Sequence, residues 1–204
     1  MKRYISDCHF SHKNIIAYDN RPFSTVEEMN SGMVTLWNET VQKSDEVYVI
    51  GDFCWSQNYD DWVNLLLKLN GHIFIIKGNH DRSEILKRLV KNGFIDGWSQ
   101  QEIIKDGGTK VIMNHSPMPF FINEHQPNWV HLYGHVHISF DWMMTLNFQR
   151  QISELYQTKI RMYNVGCMIP YMHYIPRTLE EIEKGFESTD LNQQNFSQNH
   201  AWSK

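Results

Sequence analysis

Apolar positions fall into helical stripes and short runs along the first half of the chain. Tyr4 and Ile5 open a short strand that runs into Asp7. Over residues 25–42, Val26, Met29, Met33, Leu36, Trp37 and Val41 recur at helical spacing, which predicts a helix with Ser24 or Thr25 as N-cap. "EVYVIGD" follows as a buried strand. Residues 62–69 carry another apolar stripe and read as a helix ended by Gly71. "HIFIIKGN" is the next strand, and residues 83–91 the next helix, closed by Asn92-Gly93.

The second half changes character. "QEIIKDGGTKVIMNH" reads as a hairpin turning at Asp106-Gly107-Gly108, and "WVHLYGHVH" and "IRMYNVGC" read as two further strands. Strands and helices alternate early and strands dominate later. That order suggests an α/β core extended by antiparallel strands. Residues 138–160 form an insertion, partly helical and rich in Phe140, Trp142, Met143, Met144, Leu146 and Phe148. Packing on the core is its first expected role, and a lid or a homodimer contact the others. Residues 178–184 read as a short acidic helix.

Length and composition narrow the class. A chain of 204 residues with 41% apolar and 21% charged residues is expected to fold as one domain, here 1–187, followed by a polar tail over 188–204. A formal net charge of −4 disfavours an extended nucleic-acid partner, which needs clustered Lys and Arg. No apolar run approaches a membrane span, and the start of the sequence turns polar by residue 6, so no membrane is expected. Cys8, Cys54 and Cys167 are widely spaced with no CxxC pair, which fits a reducing, cytoplasmic setting. Cys54 and Cys167 read as small buried residues.

The apolar strands share one habit: several run into metal-ligand residue types. They deliver Asp7 and His9, then Asp52, then Asn79-His80-Asp81, then His115, and last His135 and His137. In extended backbone, residues two apart point the same way, so Asp7/His9 and His135/His137 are each expected to grip from one face. Each cluster alone is explained by a surface histidine, an Asx turn or a helix cap. The ordered repetition of five clusters at strand ends is not. Loops beyond the carboxyl ends of sheet strands are also where α/β proteins build their sites.

These blocks resemble the calcineurin-like metallophosphoesterases, whose signature runs D-x-H, G-D, G-N-H-D/E, a lone H, and G-H-x-H. Here they read Asp7-Cys8-His9, Gly51-Asp52, Gly78-Asn79-His80-Asp81, His115 and Gly134-His135-Val136-His137. The opening "SDCHFSHKNII" also looks like a compact bacterial or phage-type branch of that family. The resemblance implies central mixed β-sheets packed as a sandwich and flanked by helices. It implies two divalent metal ions, one on Asp7, His9, Asp52 and His137, the other on Asp52, Asn79, His115 and His135, with Asp52 as the bridge. Oxygen and imidazole donors without thiolate suit Mn, which is favoured, or Fe, Ni or Zn. A hydroxide bridging the ions would attack phosphorus, and His80 would stabilise the transition state or protonate the leaving oxygen.

Three further residues are drawn in. Asp81 is expected to orient a ligand or cap a helix rather than bind metal. His12 and Arg21 are expected to meet substrate, or else to sit in a solvated loop. The protein Ser/Thr phosphatases of the superfamily carry G-D-x-x-D-R-G, whose Asp orients the catalytic histidine and whose Arg grips phosphate. This chain has Gly51-Asp52-Phe53-Cys54-Trp55-Ser56 and lacks both. A phosphodiesterase acting on a nucleotide or small organic phosphate is therefore expected. A phosphomonoesterase, a nuclease and a non-catalytic scaffold are the alternatives.

Overall fold

The computed structural model describes residues 1–189, so the expected 188–204 tail lies, from residue 190 on, outside the described residues. Four strands, β1 (Lys2–Ile5), β2 (Glu46–Ile50), β3 (His72–Ile76) and β4 (Gly97–Ser99), pair in that order as an all-parallel sheet. A second sheet has the order β5 (Gln101–Asp106), β6 (Thr109–Asn114), β7 (Trp129–Tyr133), β8 (Met162–Asn164). Only the β5–β6 hairpin is antiparallel; β6–β7 and β7–β8 are parallel. The expected antiparallel extension is thus one hairpin on a second, mostly parallel sheet. Parallel pairing follows from the long connections between those strands, which let the chain return to the same end.

Side-chain alternation explains how the sheets meet. Tyr4, Tyr48 and Phe74 stand in register across β1, β2 and β3, with neighbouring ring centroids 5.8 and 5.9 Å apart. From this row the Tyr4 hydroxyl donates to Asp106 Oδ2 of the second sheet at 2.8 Å. Near the far end of β1, Ser6 N donates to Val165 O and Cys167 N to Ser6 O, both at 2.8 Å. These bonds tie the two sheets together beside the strand ends that carry the candidate residues. Val47, Val49, Ile73 and Ile75 are buried, each worth about 1.5–3 kcal/mol against exposure.

The helices follow their sequence signals. Helices α1 (Ile15–Tyr18) and α2 (Val26–Thr40) lie between β1 and β2, and α2 buries Met29, Met33 and Trp37. Its cap is Thr25, whose side chain accepts from Glu28 N at 3.1 Å. Helix α3 (Tyr59–Leu66) starts earlier than its apolar stripe suggests, because Asn58 caps it through Asp60 N and acidic residues fill its first turn. Helix α4 (Ser83–Lys91) has the expected bounds. The 138–160 segment folds as α5 (Phe140–Tyr156), capped by Ser139. It buries Trp142 and Ile152 but leaves Phe140, Met144 and Leu155 exposed, so core packing accounts for one side of it. Helix α6 (Leu179–Ser188) begins with a capping box between Thr178 and Glu181.

Candidate metal centre

Every candidate ligand lies just beyond a strand end, not within a strand. Here the expectation of extended backbone is corrected. Asp7 (φ 53°), His9 (49°), Asp52 (52°), His135 (70°) and His137 (44°) all occupy the left-handed region. That conformation costs an L residue roughly 1–2 kcal/mol. His135 and His137 therefore diverge rather than share a face. His135 turns Nδ1 to Asn79 Oδ1 at 3.0 Å, whereas His137 lies between Asp7 Oδ1 at 3.5 Å and Asp19 Oδ1 at 2.6 Å.

A dense set of hydrogen bonds holds these strained turns in place. Asp7 N donates to Gly51 O at 3.0 Å and His9 N to Asp52 O at 2.9 Å, joining the first and second loops. His135 N reaches both carboxylate oxygens of Asp7 at 3.1 Å. Buried Asp81 accepts from Asp52 N at 2.9 Å, Phe53 N at 3.1 Å and Gly78 N at 2.8 Å. Asp81 is thus an anchor between two ligand loops; the N-cap of α4 is Arg82. Glycine is required where loops touch: a Cβ on Gly78 would stand 2.2 Å from Asp52 Oδ1, and one on Gly134 1.9 Å from Ser6 Oγ.

The side chains converge as two overlapping groups. One ligand atom from each of Asp7, His9 and His137 lies within 4.8 Å of the others, and so does one from each of Asp7, Asp52 and His115. Asp7 is common to both groups; Asp52 belongs to the second, and its Oδ2 reaches toward the first, 3.7 Å from His9 Nε2 and 3.3 Å from His115 Nε2. Asn79 Oδ1 closes the second group, 2.9 Å from His115 Nε2. Ile50 O holds His115 Nδ1 at 2.8 Å, so Nε2 is the nitrogen turned to the centre.

These residues fit divalent cations. His9 Nε2 is buried with no hydrogen-bond partner, a cost of ~1–3 kcal/mol that a cation would remove. No cysteine belongs to either group, so the donors are the oxygen and imidazole types preferred by Mn, Fe, Ni or Zn.

The electrostatics of the centre point the same way. Burial opposes charge on His137, yet Asp19 and then Asp7 raise it to about 10. His115 is likewise raised to about 9 against its burial, by Asp52 and Asp7. Burial alone would lift the Asp7 carboxyl, but His137, His115 and His9 hold it well below the usual carboxylate range. His9 goes down to about 3 through burial and the neighbouring His137. It is a neutral, lone-pair-bearing imidazole at neutral pH. Burial and Asp52 push Asp81 up to about 6.

Around the ligands, two expectations change. Arg21 does not face substrate: its side chain is 0% exposed and its donors point inward. Nη1 donates to Cys8 O and Nη2 to Asp7 O, both at 2.8 Å, while Nε and Nη2 hold Asp19 Oδ2 at 3.0 and 2.8 Å. The guanidinium thus ties down the first ligand loop and, through Asp19, His137. Asp19 has no motif spacing to mark it, and only its place two residues before Arg21 hints at a pair. His12 is also buried, its ring stacked on Trp55 at 3.8 Å and 5.4 Å from that of His9.

Trp55, 37% exposed, is the other residue the motifs did not single out. It stands where the phosphatase signature has its orienting Asp. There it still meets His80, but by ring contact, with centroids 4.6 Å apart. The His80 backbone N donates to Asp52 Oδ1 at 2.9 Å, and its ring, 42% exposed, brings Nε2 to 3.9 Å from Asp52 Oδ2. His80 thus combines contact with the centre and access to solvent.

Two sheets flanked by helices gather these carboxylates and imidazoles at their strand ends. The chain belongs to the calcineurin-like phosphoesterase family, whose model matches residues 4–139. Among curated relatives it is 48% identical over 92 residues to the uncharacterized protein MJ1445 of Methanocaldococcus jannaschii, covering 44% of this chain and 52% of that protein. The chain thus matches about half the length of that relative. Among solved structures, the protein of unknown function AQ665 from Aquifex aeolicus superposes with a TM-score of 0.66 at 24% identity, over 90% of this chain and 98% of that one. That likeness supports the fold.

Proposed function

We propose that the chain is a dinuclear metal-dependent phosphodiesterase acting on a nucleotide or another small organic phosphate ester. The observation that carries this reading is the position of Asp52 Oδ2 between His9 Nε2 and His115 Nε2, as expected of a carboxylate shared by two ions. Asp7, His9, Asp52 and His137 would hold one ion, and Asp52, Asn79, His115 and His135 the other, with Mn the favoured metal. Bound there, two divalent ions supply an acidified water as nucleophile and offset charge on the phosphoryl oxygens.

The chain's own residues do the rest. His80, exposed beside Asp52, holds or delivers the proton at the leaving oxygen through its ring nitrogen. Trp55 packs on that ring and limits its rotation. Asp19 accepts from His137 Nδ1 and fixes which nitrogen faces the centre. The absence of the phosphatase Asp-Arg pair, together with the inward orientation of Arg21, supports a diester over a phosphoprotein substrate.

The test measures bound metal per chain and then compares an activated phosphodiester with the matching monoester. Hydrolysis that favours the diester, with two ions bound, is the expected result. Preference for the monoester would overturn the diesterase assignment. No turnover of either ester by the metal-loaded protein would instead favour a scaffold.

A further inference from the structure

Next to Asn79 and His115, a polar pocket of about 300 Å³ opens, and His9 is not among its lining residues. Its wall comes from three chain segments, and beside the motif residues Gly78, Asn79 and His115 it carries four residues that the ligand motifs do not include. Lys77 follows β3, Gln100 links β4 to β5, Asn114 ends β6, and Ser116 follows His115. No carboxylate and no large apolar side chain lines it.

The chemistry of that wall is one-sided. Lys77 Nζ donates to Gly78 O at 3.1 Å and has no ion-pair partner among the described residues. An ammonium has further N–H donors beyond that one bond. Asn114 Oδ1 accepts from Ser116 N at 3.0 Å, and the NH₂ of this amide supplies the donors it can offer a ligand. Gln100 and Ser116 are exposed and can turn a donor inward. An ammonium with no ion-pair partner among the described residues, sharing its pocket with amide and hydroxyl side chains and no carboxylate, is a local arrangement for an anion in a chain of net charge −4.

We propose that this pocket is a second anion subsite, taking a phosphate or carboxylate carried on the arm of the ester that is not cleaved. The inference rests on the phosphodiesterase reading and narrows its substrate class to diesters with a further anionic group near the scissile phosphorus. Lys77 is the specificity-determining residue, supplying the charge. Asn114, Gln100 and Ser116 supply orientation. Arg21 cannot serve this role, since its guanidinium is spent on Asp19 and the backbone of the first ligand loop.

The test separates binding from turnover. Three p-nitrophenyl phosphodiesters differing only in the second arm (neutral phenyl, carboxylate-terminated, phosphate-terminated) are titrated calorimetrically into Mn-loaded His80→Ala protein, whose slowed turnover, followed by p-nitrophenol release, leaves them largely intact during the titration. The expected result is about tenfold or tighter binding for an anionic arm over the neutral one, an advantage of the size of one charge-assisted hydrogen bond. His80→Ala/Lys77→Gln should lose that advantage, and Lys77→Arg in the same background should keep most of it. A larger gain with the phosphate arm or the carboxylate arm identifies which anion the pocket takes. Equal affinity for all three arms, or a Lys77→Gln loss that is the same for all three, would overturn the subsite. Turnover of the neutral-arm diester by the unsubstituted protein reports separately on the phosphodiesterase reading.

Discussion

The two halves of the metal centre are built differently. Around His9 and His137 the site is closed: Arg21 and Asp19 hold the ligands from behind, and the stacked His12–Trp55 pair covers the flank. Around Asn79 it is open, and the polar pocket beside Asn79 and His115 replaces that packed flank. Asp52 and Asp7 sit between the halves. The closed half would hold an ion firmly, while the open half would give an ion access to substrate. The left-handed backbone spans both, because His135 and His137 must leave one short loop toward opposite halves.

The largest effect is expected where the halves meet. His80→Ala should lower kcat by about 10²–10⁴-fold, the usual worth of general acid–base catalysis, while both ions remain on measured metal content. Full activity with bound metal would remove His80 from the chemistry. Asp19→Asn acts on one half only. It should weaken the ion at His137 by about 10–100-fold, as for other carboxylate–histidine–metal supports, and leave the other ion's affinity nearly unchanged. Equal weakening of both, in a metal titration, would mean that the halves are not separately supported. The smallest effect belongs to a position outside either half. Thr178→Ala breaks the α6 capping box and should cost about 1 kcal/mol of stability, read as a lowered Tm, without altering metal binding.

The periodic elements could be read from the sequence. Helix α4 and strands β2 and β3 follow directly from apolar spacing and the glycines and amides that end them. Strand β4 does not, since Gly97-Trp98-Ser99 is too short to show alternation. The parallel pairing of β6, β7 and β8 was hidden too, because periodicity reports which face a residue takes and not which strand lies beside it. At the centre, Asp7, His9, Asp52, Asn79, His115, His135 and His137 were legible as a set, and the structure brings them to one place. Their supports were not. Asp19 and Arg21 act through a buried ion pair with no spacing rule, and Trp55 contributes a ring face where a carboxylate was sought. Arg21 illustrates the general difficulty: a guanidinium suits phosphate and carbonyl oxygens alike, and only burial separates the two uses.

The central claim is one carboxylate shared by two unequal ion sites. Titration of the ion-free protein with Mn, comparing the unsubstituted chain with Asp52→Asn, tests it most directly. Two ions per chain are expected, bound in two steps of different affinity, with both steps weakened by Asp52→Asn. A single ion per chain, or two ions whose affinities are indifferent to Asp52→Asn, would contradict it.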